Sequence, residues 1–211
     1  MLYIRRETPA DYQTVEDVIR RAFYNVYVPG CTEHYLAHIM RGHEDFVPEL
    51  DFVAELDGQI IGSILYTRAR LTDERGEEKP VLTFGPVCIA PDRQRQGYGK
   101  QLIEHSMRRA AALGHDVIVI FGNPFYYTGV GFQSCKKHNI CLENGKFPSA
   151  MMVKLLRPDA LDGRKWHYGS SPVMHVDERA ARRFEEALAP MEPRRLPCQE
   201  AFSIMRHSFL E

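Results

Sequence analysis

The sequence predicts an α/β protein: a mixed, splayed sheet of about six or seven strands with flanking helices. Three stretches carry that expectation. "DFVAELDGQIIGSILYTRA" places two apolar runs on either side of Asp57-Gly58, the residue pair favoured in type I′ turns, so an antiparallel meander should form there. "VLTFGPVCIA" and "DVIVIFG" are short apolar runs joined by a helical pattern, which makes a βαβ unit of right-handed crossover. Pro86 interrupts the first of these runs. Lacking an N–H, it cannot complete a ladder and belongs where a sheet bulges or opens.

Taken in order, Thr8-Pro9-Ala10-Asp11 reads as a helix start, with Thr8 as N-cap, Pro9 in the first turn and acidic Asp11 near the positive end. Val15, Val18, Ile19, Ala22 and Phe23 recur at helical spacing, so residues 9–24 should be an amphipathic helix, and a shorter one should cover 32–41. The polar stretch "LTDERGEEKP" (71–80) is expected to be a loop. From Gly99, the residues Leu102, Ile103, Met107, Ala110 and Leu113 define one apolar helix face that Gly114 should end. "DVIVIFG" (116–122) is apolar enough for a strand buried on both faces, another strand should lie near Phe132, and "SAMMVKLL" (149–156) closes the sheet. This divides the chain into a domain at 2–157 and a C-terminal extension at 158–211 packed on it, with one clear helix at 177–189 capped by Asp177. After Pro190 the pattern is rich in proline and arginine and predicts no element.

At 211 residues the chain is long enough to bury about 70% of its unfolded surface and needs no staples. The 27 basic residues balance 28 acidic ones, which argues against nucleic acid or an anionic membrane as partner. Five scattered cysteines with no CxxC pair suit a reducing compartment, and neither the start nor any apolar run suggests a signal peptide or a membrane span. The expectation is a cytoplasmic protein, with the oligomeric state open and a homodimer compatible with its edge strands.

"PDRQRQGYGKQLI", Pro91 to Ile103, puts two glycines at a helix start beside Arg93, Arg95 and Lys100. Bare N–H groups, the helix dipole and these cations together suit a phosphate. Two nucleotide motifs fail on spacing. The P-loop needs four residues between its glycines and Ser or Thr after Gly-Lys, whereas Gly97 and Gly99 are two apart and Gln101 follows Lys100. The dinucleotide fingerprint needs its glycines directly after the strand and a third one where Leu102 stands.

What remains is [QR]-x-x-G-x-[GA], met by Gln94, Gly97 and Gly99, and here residues 2–157 resemble the GNAT superfamily of acyl-CoA-dependent N-acyltransferases. Three further stretches match in order: "FGPVCIAP" resembles the family's central strand, Tyr127-x-x-x-Gly131-Phe132 resembles its Y-x-x-x-G-F, and Asn123 ends the second parallel strand. The paired Tyr126-Tyr127 after Pro124 resembles a bacterial branch of predicted N-acetyltransferases. The resemblance implies a GNAT-like fold and acetyl-CoA as cosubstrate. Gln94, Arg95, Gln96, Gly97, Tyr98, Gly99 and Lys100 would hold its pyrophosphate, Val87, Cys88 and Ile89 its pantetheine arm, and Asn123 would also contact the coenzyme. Tyr127 would lie near the coenzyme sulfur.

The implied reaction moves an acetyl group from a thioester to a primary amine by direct attack in a ternary complex. Clamping the coenzyme at both ends would align the thioester, a main-chain N–H of Cys88 or Ile89 would polarise its carbonyl, and Tyr127 would protonate the departing thiolate, with Tyr126 as the alternative. The base is not assigned; Glu55, His34, His38 and His43 are candidates, beside a water chain. Cys88 has no neighbouring histidine in sequence and reads as a buried small hydrophobe rather than a nucleophile. Cys135-x-x-His138-x-x-Cys141 lacks zinc spacing, so no metal is expected. The competing reading is a non-catalytic acyl-CoA-binding module that regulates a partner through 158–211.

Overall fold

The computed structural model describes every residue, Met1–Glu211. Strands β1 (Leu2–Arg6), β2 (Phe52–Leu56), β3 (Gln59–Asp73) and β4 (Glu78–Ile89) form an antiparallel meander in that spatial order. Asp57 and Gly58 both hold positive φ, 50° and 80°, the backbone that a two-residue turn with right-handed strand twist requires. β5 (Val117–Phe121) runs parallel to β4, and β9 (Met151–Leu155) and β6 (Gln133–Ser134) follow antiparallel, which gives a path of seven strands. Helix α3 (Tyr98–Ala112) makes the crossover between β4 and β5.

Side-chain alternation divides the core between the two faces of the sheet. Ile64, Tyr66, Leu82, Phe84, Ile118 and Ile120 turn to one face, where Leu102, Met107 and Ala110 of α3 cover them. Val53, Leu65 and Cys88 turn to the other, beneath Val15, Val18 and Ile19 of α1 (Tyr12–Phe23) and Leu36 and Met40 of α2 (Glu33–Met40). Thr8 and Asp11 form a capping box ahead of α1, and a 3-10 turn at Pro9–Asp11 precedes the α-helix.

The stretch 71–80 is not a loop. β3 runs on to Asp73 and β4 starts at Glu78, so only four residues turn. Their polarity misleads because both strands project beyond the helices, where solvated side chains are tolerated on a paired backbone. β10 (Trp166–Gly169), from the C-terminal extension, pairs antiparallel with this part of β3 and parallel with β7 (Ile140–Cys141), so strands from the extension and from residues 2–157 share one sheet. Trp166 and Tyr168 pack inward, and the Tyr168 hydroxyl donates to Thr83 Oγ1 at 3.0 Å. α5 (Glu178–Glu186), capped by Asp177, lies on α2, with Phe184 against His34, Tyr35 and His38. After it come α6 (Pro197–Arg206) and β11 (Phe209–Leu210), which pairs with β8 (Phe147–Pro148).

Between β1 and α2, Glu7 and Asp51 are buried side by side next to Arg41, whose Nη2 lies 2.8 Å from Glu7. Burial, then the Glu7 carboxylate, push the Asp51 carboxyl up to about 9, so it stays protonated at neutral pH. An unfolded Asp titrates near about 3.9, so the folded state holds the extra proton between the two values. Its contribution to stability is complete below about pH 4 and is lost as the pH rises through about 9. Asp51→Asn is therefore expected to flatten the fall in melting temperature across that window. A variant with the wild-type slope would assign the dependence elsewhere.

Candidate active site

β4 and β5 are in register at a single pair, Leu82 with Ile118, and the Thr83 hydroxyl donates to the Val119 carbonyl just beyond it. From there β4 continues to Ile89 paired with β3 but not with β5, which ends at Phe121. The β3–β4 register shifts between Ile64 and Tyr66, opposite Gly85 and Pro86. The sheet thus parts beside the residue that has no N–H to give to a ladder. Ala90 N–H donates to the Ile61 carbonyl at 2.6 Å, and antiparallel bonding alternates. Cys88, two residues back and opposite Ser63, therefore turns its N–H and carbonyl into the β3 ladder. Val87 and Ile89 turn theirs into the gap. Of the three main-chain groups expected there, two face it and Cys88 does not.

The gap leads to the start of α3. After a 3-10 turn at Pro91–Arg93, Gln94 is extended and Arg95 and Gly97 take φ values of 60° and 84°. The left-handed conformation at Gly97 reverses the chain into the helix without a side-chain cap. As a result the N–H groups of Tyr98, Gly99 and Lys100 have no acceptor in the chain. Gln94 Nε2 donates to the Ile89 carbonyl at 3.0 Å, which ties this loop to the end of β4. Gln96 is exposed, and its Nε2 lies 3.5 Å from the Asp92 carbonyl. Lys100 sits 3.8 Å from Glu104 and Arg93 beside Asp92, while Arg95 is in no ion pair.

Across the gap, Asn123 Oδ1 accepts the Phe125 N–H at 3.0 Å and caps α4 (Pro124–Tyr127). The Asn123 side-chain oxygen is thus occupied within the fold, while its Nδ2 donates to no group in the chain. Tyr127 ends this turn with its ring 5.9 Å from both Phe84 and Phe132. Its hydroxyl bonds to no group in the chain, and burial pushes its pKa upward, so it is protonated at any ordinary pH. Tyr126 is largely exposed and packs edge-on against Phe125.

Sequence reasoning passed over Gly122. A Cβ there would lie 2.4 Å from Tyr127 Cε2, so the glycine leaves the space the ring fills. The signal was present as a glycine between the end of an apolar strand and Asn123. Since Phe84 and Phe132 hold the ring from other sides, Gly122→Ala is expected to displace Tyr127 and lower kcat about 10-fold or more with acetyl-CoA affinity kept. Wild-type turnover in that variant would show that the ring position is not critical.

The sequence candidates for a base are all engaged. Glu55 Oε2 accepts from Arg5 Nε at 2.9 Å, His34 is buried 3.0 Å from Glu185, His38 lies 3.2 Å from Glu16, and His43 Nδ1 accepts the Asp45 N–H at 3.1 Å. Each is tied to a partner within the fold. Cys88 is buried with its Sγ 3.7 Å from Ser63 Oγ, and burial pushes the thiol up to about 11, which leaves it inert at neutral pH.

Residues 14–126, a little over half of the chain, match the family model described as Acetyltransferase (GNAT) family. The chain belongs to that family. An uncharacterized N-acetyltransferase of Escherichia coli, YhbS, is 28% identical over 163 residues, which is 77% of this GNAT chain and 92% of the relative. The crystal structure of YhbS in complex with CoA superposes with a TM-score of 0.71 at 25% identity, covering 82% of this chain and 91% of that one. A GNAT family acetyltransferase from Brucella melitensis, crystallised with acetyl-CoA, shares the fold at 24% identity with a TM-score of 0.66, covering 83% and 99%. By family, this chain is an acetyltransferase.

Proposed function

We propose that this GNAT acetyltransferase moves an acetyl group from acetyl-CoA to a primary amine by direct attack in a ternary complex. One observation carries the reading: unpaired N–H groups at the start of α3 and along β4 line one continuous path. The pyrophosphate sits against Tyr98, Gly99 and Lys100 N–H, with Arg95 supplying charge. Pantetheine lies in the gap as a surrogate strand on Val87 and Ile89. Gln94 holds the two parts of the path in register. YhbS, the relative with a TM-score of 0.71, is a CoA complex, which supports this placement.

Held at both ends, the thioester is presented at the parting of β4 and β5, where the Ile89 or Val87 N–H stabilises the oxyanion. The amine nitrogen bonds to the carbonyl carbon, the C–S bond breaks, and the thiolate takes the Tyr127 proton. The proton still on the new amide nitrogen restores the phenol. Because burial raises the Tyr127 pKa, the phenol donates only as charge develops on sulfur and does not ionise beforehand. Titration calorimetry of acetyl-CoA into the wild-type protein tests the reading; no binding heat would overturn it.

A further inference from the structure

The main chain of β5 alternates between its two neighbours. Gly122 N–H donates to the Ala150 carbonyl and Leu156 N–H to the Asp116 carbonyl, so Asp116 and Gly122 face the β9 side. Val119 falls on the opposite phase and turns its N–H and carbonyl to β4. In a continued parallel ladder that carbonyl would take the Phe84 N–H and so pair Thr83 with Val119. That pair is not formed, since the register holds at Leu82–Ile118 alone. The Val119 carbonyl accepts the Thr83 hydroxyl instead.

Thr83 is held in turn from β10, where the Tyr168 hydroxyl donates to its Oγ1 at 3.0 Å. A hydroxyl can accept one bond while it donates another, so Tyr168, Thr83 and Val119 form a directed chain from the C-terminal extension through β4 to β5. All three residues are buried, which makes each bond costly to leave unmade. The Tyr168 ring also lies 5.8 Å from that of Phe121, the last residue of β5. One side chain of the extension thus touches both arms where they part. The residues next to these contacts hold the candidate acid: Phe84 follows Thr83 with its ring 5.9 Å from Tyr127, and Gly122 follows Phe121 beneath the Tyr127 ring.

A valine has the shape of threonine, so filling this space does not call for a hydroxyl. What the hydroxyl adds is to occupy the acceptor that the next ladder step needs. We propose that Thr83 and Tyr168 are positioning residues that set where β4 and β5 part, and with it the seat of the pantetheine arm and of Tyr127. This rests on the coenzyme path described above. Both act through the main chain of β4 and not on the acetyl group. With the hydroxyl gone, the Val119 carbonyl takes the Phe84 N–H, the ladder runs one pair further toward Pro86, and the inner end of the gap narrows.

The test is calorimetry of acetyl-CoA and of ADP, which carries a pyrophosphate without the pantetheine arm, beside thiol-release kinetics. The proteins are wild type, Thr83→Val, Thr83→Ser, Tyr168→Phe and the double variant Thr83→Val with Tyr168→Phe. Thr83→Val should weaken acetyl-CoA about 10-fold and lower kcat, while ADP binds as to wild type. Thr83→Ser keeps the hydroxyl and should restore both values. Tyr168→Phe keeps the ring on Phe121 and should show a smaller loss in the same direction. The double variant should be no worse than Thr83→Val, because both changes act through one chain. Wild-type acetyl-CoA affinity in Thr83→Val overturns the assignment. So do equal losses for ADP and acetyl-CoA, the mark of general damage to the fold, and a Thr83→Ser that fails to rescue. In each of these cases binding of acetyl-CoA to wild type keeps the coenzyme path, whereas its absence there overturns that path itself.

Discussion

Tyr127→Phe is expected to lower kcat for acetyl transfer about 100-fold or more, the usual worth of a positioned proton donor. The ring stays against Phe84 and Phe132 over Gly122, so packing is preserved and only the hydroxyl is lost. Acetyl-CoA affinity by calorimetry should be unchanged. The loss should also shrink with a thioester of a more acidic thiol, whose thiolate needs less help to leave. Full turnover by the Phe variant with the ordinary thioester would remove Tyr127 from the chemistry and leave the exposed Tyr126 or solvent as donor. A protein that binds acetyl-CoA tightly yet releases no thiol with any amine would favour the regulatory binding module.

Gly97→Val should act at the other end of the coenzyme. Gly97 sits at φ 84°, a left-handed conformation that costs a β-branched residue about 1–2 kcal/mol or more. Relaxing it swings the first turn of α3 and misaims the Tyr98, Gly99 and Lys100 N–H groups. Each charge-assisted hydrogen bond to phosphate is worth about 1.5–3 kcal/mol, so acetyl-CoA binding should weaken about 10- to 100-fold. The turnover of the fully loaded enzyme should change far less. A Kd equal to wild type, with a normal melting temperature, would mean that the phosphates bind elsewhere.

Both predictions start from residues legible in the sequence, yet their partners were not. Gly97 was marked as a helix-start glycine by its own spacing, whereas Gly122 has no motif of its own and matters only because the Tyr127 ring folds back over it. The tail after Pro190 has a weak local pattern because α6 buries no residue fully and is held by hydrogen bonds and one ring stack to distant segments. Local periodicity cannot report such contacts.

By itself the sequence determined the elements whose cause is local: the hairpin at Asp57-Gly58, the crossover helix and its glycine start, the caps at Thr8 and Asp177, and the proline at the parting of the sheet. Turn chemistry, helix capping and side-chain alternation act over a few residues and can be read there. Only the tertiary structure decided which way the β4 main chain faces, with Val87 and Ile89 to the gap and Cys88 to β3, because that depends on a register set across two strands. It also decided that 71–80 is mostly strand and that the C-terminal segment ties one arm of the sheet to the other. Those outcomes arise from pairing between residues far apart in the chain, and no short window contains both partners.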